Sequence, residues 1–194
     1  QEALTPADTA VAVTLELEPL FDNILQLRPE TKTVLVMIGD SPAEKLWLVE
    51  MRKSLKSFEE RIEVIYCNDK SFEDMLRLAA EPPPDSAIFW TQLRVDAAGV
   101  VHEGDHSLKR LHAVANAPIF SYDDTFFNGE IVGGPMLSMS DIVRQGHRAV
   151  MVYLIQRGDA KKLAFAGVVD PTYGAAFDLA AATIERGERL LRIA

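Results

Sequence analysis

Cysteine is nearly absent: Cys67 is the only one in 194 residues, which excludes an internal disulfide. Long apolar runs are missing as well. The longest, Ala149 to Ile155, has seven residues, against the roughly 18 that a membrane-spanning helix needs. Bases are scarce beside acids, 20 against 29, so the net charge is −9 and the pI is near 4.9. A surface that acidic repels phosphate backbones and argues against a nucleic-acid partner. Neither G-x-G-x-x-G nor G-x-x-x-x-G-K-[ST] occurs, which excludes phosphate cradles of those kinds. There is no internal repeat and no low-complexity tract. The chain opens at Gln1 without a basic-then-apolar leader, and it reads as a trimmed piece of a longer protein whose targeting signal has been removed. What is present, 48% hydrophobic and 25% charged, fits one large folded domain or two small lobes.

Short β-branched or aromatic runs alternate with helical stretches, the pattern of a parallel sheet covered by helices. The extended run Val11–Thr14 leads into a helix over 15–27, with Leu17, Leu20, Phe21, Ile24 and Leu27 at helical spacing. Thr33–Ile38 is a continuous apolar strand, as expected when both faces are buried. After Gly39-Asp40-Ser41-Pro42 a helix runs over 43–58, with Ser41 as N-cap, Pro42 at the first position and Glu44 three residues on. Further strands are expected at 62–66, 87–90 and 118–122, with helices at 71–80 and 106–115. An extended, glycine-broken run at 131–137 precedes a helix over 140–156, and a strand at 163–169 and a helix from Phe177 close the chain. The fold expected is α/β, a three-layer parallel sheet of four or five strands with helices on both faces. Ligands of such sheets bind at the carboxyl ends of the strands. Four loops lie there: Gly39-Asp40-Ser41, Cys67-Asn68-Asp69, Thr91-Gln92-Leu93 and Asp123-Asp124-Thr125.

Two motifs suggest catalysis. His102-Glu103-Gly104-Asp105-His106 matches H-E-x-x-H, whose zinc chemistry needs both histidines on one helical face. Gly104 and Asp105 are poor helix formers, and the run reads as a polar loop with Asp105 capping the next helix. Gly39-Asp40-Ser41 resembles the opening of the GDS-type esterases, in which the serine is the nucleophile. That chemistry needs a histidine base, yet the last histidine is His147, with Arg144 three residues before it. Ser41 reads instead as a helix cap. Asp123-Asp124 suits either a cation or ligand hydroxyls, or else a solvated turn. Trp47 and Trp90 suit either an aromatic pocket or the core. Cys67 ends an apolar strand and is expected to be buried and unreactive.

Taken with Asp123-Asp124-Thr125, Ile131-Val-Gly-Gly134 and Ser140 to Ala149, the chain resembles the second half of the type I periplasmic substrate-binding proteins of ABC transporters. It is similar above all to the substrate-binding-like domains that also serve as sensors of bacterial histidine kinases. Leu27-Arg28-Pro29, TVLVMIGDSP, Phe89-Trp90-Thr91, the D-A-A-G turn and Asn116–Ile119 fall in that family's order. The resemblance implies a binding lobe over 1–137, a return helix over 138–161 that packs on a first lobe missing here, and a closing strand and helix over 162–194. It implies an extracytoplasmic, periplasmic small-molecule receptor acting by hinge closure. A membrane permease or a sensor-kinase module is its partner, and no catalysis, cofactor or metal is involved. Ligand contacts are expected at Asp40, Ser41, Trp90, Gln92, Tyr122 and Asp124. Trp90 and Tyr122 would offer flat apolar faces, and Ser41, Gln92 and Asp124 hydrogen bonds. The wide apolar face of 140–156, lacking its first lobe, implies self-association. The alternatives are a GDS-type α/β hydrolase using Ser41 and a plain structural or dimerising domain.

Overall fold

The computed structural model describes residues 16–102 and 106–144. The chain divides into two compact units, Thr14–Met139 and Gln1–Val13 with Ser140–Ala194. The strands and helices named below belong to the first.

Four strands form one parallel sheet in the order β2-β1-β3-β4: β1 (Thr33–Met37), β2 (Glu63–Tyr66), β3 (Ser86–Trp90) and β4 (Ile119–Ser121). All residues of β1 and β3 are buried, which is why both read as unbroken apolar runs. Alternation sends Val34, Val36, Phe89 and Phe120 to one face and Leu35, Met37, Ile88, Trp90 and Ile119 to the other. Helices α1 (Leu17–Leu27) and α2 (Pro42–Ser54) pack on the first face; α3 (Phe72–Ala80) and α4 (His106–Val114) pack on the second. The α/β class expected from the sequence pattern is therefore present.

The local signals explain the boundaries. On α1, Leu17, Leu20, Phe21 and Ile24 are buried, and the Phe21 ring meets Phe89 edge-on at 5.3 Å. Helix α2 starts with a full capping box: Ser41 Oγ accepts from Glu44 N and Glu44 Oε2 accepts from Ser41 N. Ser71 caps α3 by accepting from Asp74 N. Asp96-Ala-Ala-Gly99 is a turn, with Gly99 at φ +78°, a conformation that favours glycine. The 131–137 run lies alongside β4 through single bridges, Phe120 with Val132 and Asp123 with Leu137. Gly134 crosses α1 so closely that a Cβ there would sit 2.7 Å from Asn23 Oδ1. Residues 139–144 are helical. The run Val11–Thr14, the Asp105 cap, most of the 140–156 helix and everything expected beyond it lie outside the described residues.

Candidate functional site

The loops at the carboxyl ends of β1 and β3 are fastened to each other by backbone and carboxylate. Gly39 N donates to Gln92 O at 3.2 Å and Asp40 N to Val95 O at 2.7 Å. Glu44, 4% exposed, accepts from Ser41 N at 2.9 Å with one oxygen and from Arg94 N at 2.7 Å with the other. Its carboxylate lies against Gly39, where a Cβ would come within 2.5 Å. A buried carboxylate is tolerated when its lone pairs meet donors, and Glu44 meets two. Beside it is a crevice lined by Ile38, Ala43, Glu44, Trp47, Thr91, Gln92 and Arg94. Its free volume of about 30 Å³ is room for about two water molecules. Trp47 is half-exposed at its rim, with its ring 5.6 Å from that of Tyr122.

The six residues expected to contact a ligand are divided by this geometry. Asp40, Ser41 and Gln92 belong to the two fastened loops; Asp40 pairs with Lys45 at 2.9 Å, and Gln92 Oε1 accepts from Arg94 Nε. Tyr122 is buried beneath Trp47, and burial, reinforced by the Asp123 charge and opposed by Arg94, pushes its phenol up to about 12. Trp90 lies on the opposite face of the sheet, 2% exposed, with its ring against Phe126. Asp124 is half-buried and accepts from Met139 N at 3.1 Å, while Asp123 caps the short 3-10 turn Asp124–Phe126 by accepting from Thr125 N and Oγ1. The acidic pair thus holds backbone, the turn reading left open by the sequence.

A second polar centre was visible in the sequence only as a turn and a histidine motif. Asp96, 4% exposed, accepts from Phe72 N at 2.9 Å, Ala98 N at 3.0 Å, Val100 N at 2.9 Å and the His102 ring at 3.2 Å. The other nitrogen of His102 is 3.3 Å from Ser107 Oγ, and its ring meets Phe72 edge-on at 4.9 Å. Burial pushes the Asp96 carboxyl up, and its hydrogen bonds from Phe72, Val100, His102 and Ala98 outweigh that and hold it below the usual value. His102 precedes α4, on which His106 is the first residue, so a histidine pair on one helix is not what the fold presents. Among the described residues no three metal-ligating side chains cluster. Cys67 is fully buried, and burial pushes its thiol up to about 12.

Comparison with known proteins places the likeness elsewhere than the sequence reading did. Residues 136–186 match the family described as SfsA, sugar fermentation stimulation protein RE domain. A sugar fermentation stimulation protein homolog of Roseobacter denitrificans is 51% identical over 39 residues, 20% of this chain and 17% of that protein. The homolog of Azorhizobium caulinodans is 58% identical over 38 residues, 20% of this chain and 16% of that protein. A longer match, to the homolog of Bartonella quintana, is 26% identical over 175 residues, 78% of this chain and 72% of that protein. The matched stretches span between 17% and 20% of the length of the first relatives. No solved structure matches the chain.

These matches overturn the receptor reading. Ser140 to Ala149, one of the stretches on which the resemblance to periplasmic binding proteins rested, falls inside the stretch matched to the sugar fermentation stimulation family. The remaining motifs mark turns and strand ends, which any parallel α/β sheet repeats. The ABC-transporter and histidine-kinase assignment, the hinge-closing small-molecule receptor, the missing first lobe, the permease and the sensor-kinase partner are all withdrawn. Self-association through 140–156 was inferred from that missing lobe and is withdrawn with it. The GDS-type hydrolase is unsupported too: the relatives carry a different name, and Ser41 Oγ accepts the Glu44 N–H as a cap. The likeness that the comparisons give this chain is to the sugar fermentation stimulation proteins.

Proposed function

We propose that the chain acts in sugar fermentation, as the name of its relatives describes, and that the stretch 136–186 carries the shared role. The observation behind this reading is the family match at 136–186, beside identities of 51% and 58% over short stretches to relatives from separate bacteria. We read the parallel-sheet unit as a rigid support, not a catalyst. The buried or half-buried carboxylates Glu44, Asp96, Asp123 and Asp124 all accept backbone N–H groups, so they hold loops in place. The test is an exchange. In the Roseobacter denitrificans relative, the stretch that aligns with residues 136–186 is replaced by those residues of this chain, and sugar-dependent acid production is measured in a strain lacking the native gene product. Activity equal to that of the unaltered relative is the expected result. An exchanged protein that accumulates normally but supports no acid production would refute the assignment to 136–186.

A further inference from the structure

Asn128-Gly129 is the only Asn-Gly pair in the chain; the other asparagines, Asn23, Asn68 and Asn116, precede isoleucine, aspartate and alanine. The pair lies in the turn that follows the 3-10 segment Asp124–Phe126, outside every strand and helix. Both residues are exposed, and Gly129 stands at φ +100° with open space where a Cβ would be. The Asn128 amide nitrogen donates to Thr125 O at 3.1 Å, an exposed bond for which water competes. Asn23 differs on both counts, since it lies within α1 and its successor is the buried, β-branched Ile24.

We propose that Asn128 is a modification site, at which the folded chain deamidates itself through the backbone nitrogen of Gly129. That nitrogen, on losing its proton to hydroxide, bonds to Cγ of Asn128. The bond from Cγ to Nδ2 breaks, and Nδ2 takes up a proton and leaves as ammonia. Water then adds across one of the two carbonyl–nitrogen bonds of the five-membered imide. One opening gives aspartate; the other gives its isoaspartyl isomer, in which the main chain runs through the former side chain. Ring closure needs the backbone at 128 and 129 to turn until the nitrogen reaches Cγ. A turn outside every strand and helix leaves that rotation free, and glycine puts no side chain in the path of approach. The product carries a new carboxylate next to Gly129 and Glu130. Its isoaspartyl form also lengthens the chain by one methylene between β4 and Val132, the residue bridged to Phe120.

The full-length chain tests this by peptide mass spectrometry after incubation at pH 6 and pH 8.5, folded and in urea, with the unfolded chain setting the intrinsic rate. Exchange of the amide NH₂ for an oxygen acid adds about one dalton. The expected result is that gain in the folded chain, placed at 128 by fragmentation and faster at pH 8.5, because the attacking nitrogen must first lose its proton. The aged chain should also accept a labelled methyl group from S-adenosylmethionine through an isoaspartyl carboxyl methyltransferase. Both signals should vanish in Asn128→Gln, whose longer side chain cannot close the five-membered ring. A folded chain that stays unmodified at 128 while the unfolded chain converts would show that the turn forbids ring closure, and overturns the proposal. A gain that accumulates as fast at Asn23, Asn68 and Asn116 overturns the selection by this turn. A gain at 128 without methyl acceptance overturns the imide route.

Discussion

Glu44 Oε1 accepts a hydrogen bond from the backbone N–H of Arg94 at 2.7 Å, across fifty residues of sequence. Its other oxygen closes the capping box of α2. One side chain therefore starts a helix and fixes the loop after β3 to the loop after β1.

Removing it should release both. Glu44→Ala leaves Arg94 N and Ser41 N without their acceptor, and should cost roughly 2–4 kcal/mol in urea unfolding. Gly39→Ala should also destabilise, because the new methyl meets a carboxylate pinned from two sides. In the double variant the methyl has room, so the two costs should add to less than their sum by about 1 kcal/mol or more. Strict additivity would show that the contact between residues 39 and 44 does not set the loop.

Asp96 makes stability depend on pH in a stated direction. Its folded carboxyl is held below the usual value, since hydrogen bonds from Phe72, Val100, His102 and Ala98 outweigh the opposing effect of burial. Its contribution is therefore fully present above the unfolded value of about 4 and is lost as the pH falls through the folded value. Asp96→Asn, which cannot ionise and turns an N–H₂ toward some of these donors, should cost roughly 2–3 kcal/mol at pH 6. Urea unfolding at pH 6, 4 and 3 should show the gap between native chain and variant narrowing toward acid. A gap of constant size would contradict the account.

How much of this was legible before the fold was seen follows from the range of each interaction. Thr33–Met37 and Ser86–Trp90 declared themselves because burial on both faces leaves an unbroken apolar run. Ser41 and Ser71 declared themselves because a cap and its acceptor lie three residues apart. Glu44 to Arg94 and Asp96 to Phe72 could not be read, since nothing local marks a partner 50 or 24 residues away. Trp90 and Tyr122 were taken as walls of one pocket, whereas strand alternation sends them to opposite faces. Phe120 and Tyr122 are two residues apart and Trp90 pairs with the residue between them, a register that only the folded sheet shows. The family was misread for a different reason. The order of strands and helices fixes an architecture that many unrelated proteins share, whereas the matched residues at 136–186 are specific.

Cys67 should be chemically silent in the folded protein. It is fully buried, and its thiol is pushed up to about 12 by burial, so almost no thiolate forms at pH 8. A disulfide-exchange reagent such as dithionitrobenzoate should label none of the native chain within an hour and one thiol per chain in denaturant. Rapid labelling of the native chain would show that the second face of the sheet opens readily.

If the chain acts in sugar fermentation as proposed, it should stand in for a relative inside a cell. The most direct measurement uses a Roseobacter denitrificans strain deleted for its own sugar fermentation stimulation protein homolog. The strain is supplied with the full chain, with its own protein or with an empty vector, and the rate of acid production from sugar is followed. The account predicts that the full chain restores the rate to that given by the native protein. A chain that accumulates in the cell while the rate stays at the empty-vector level would contradict it.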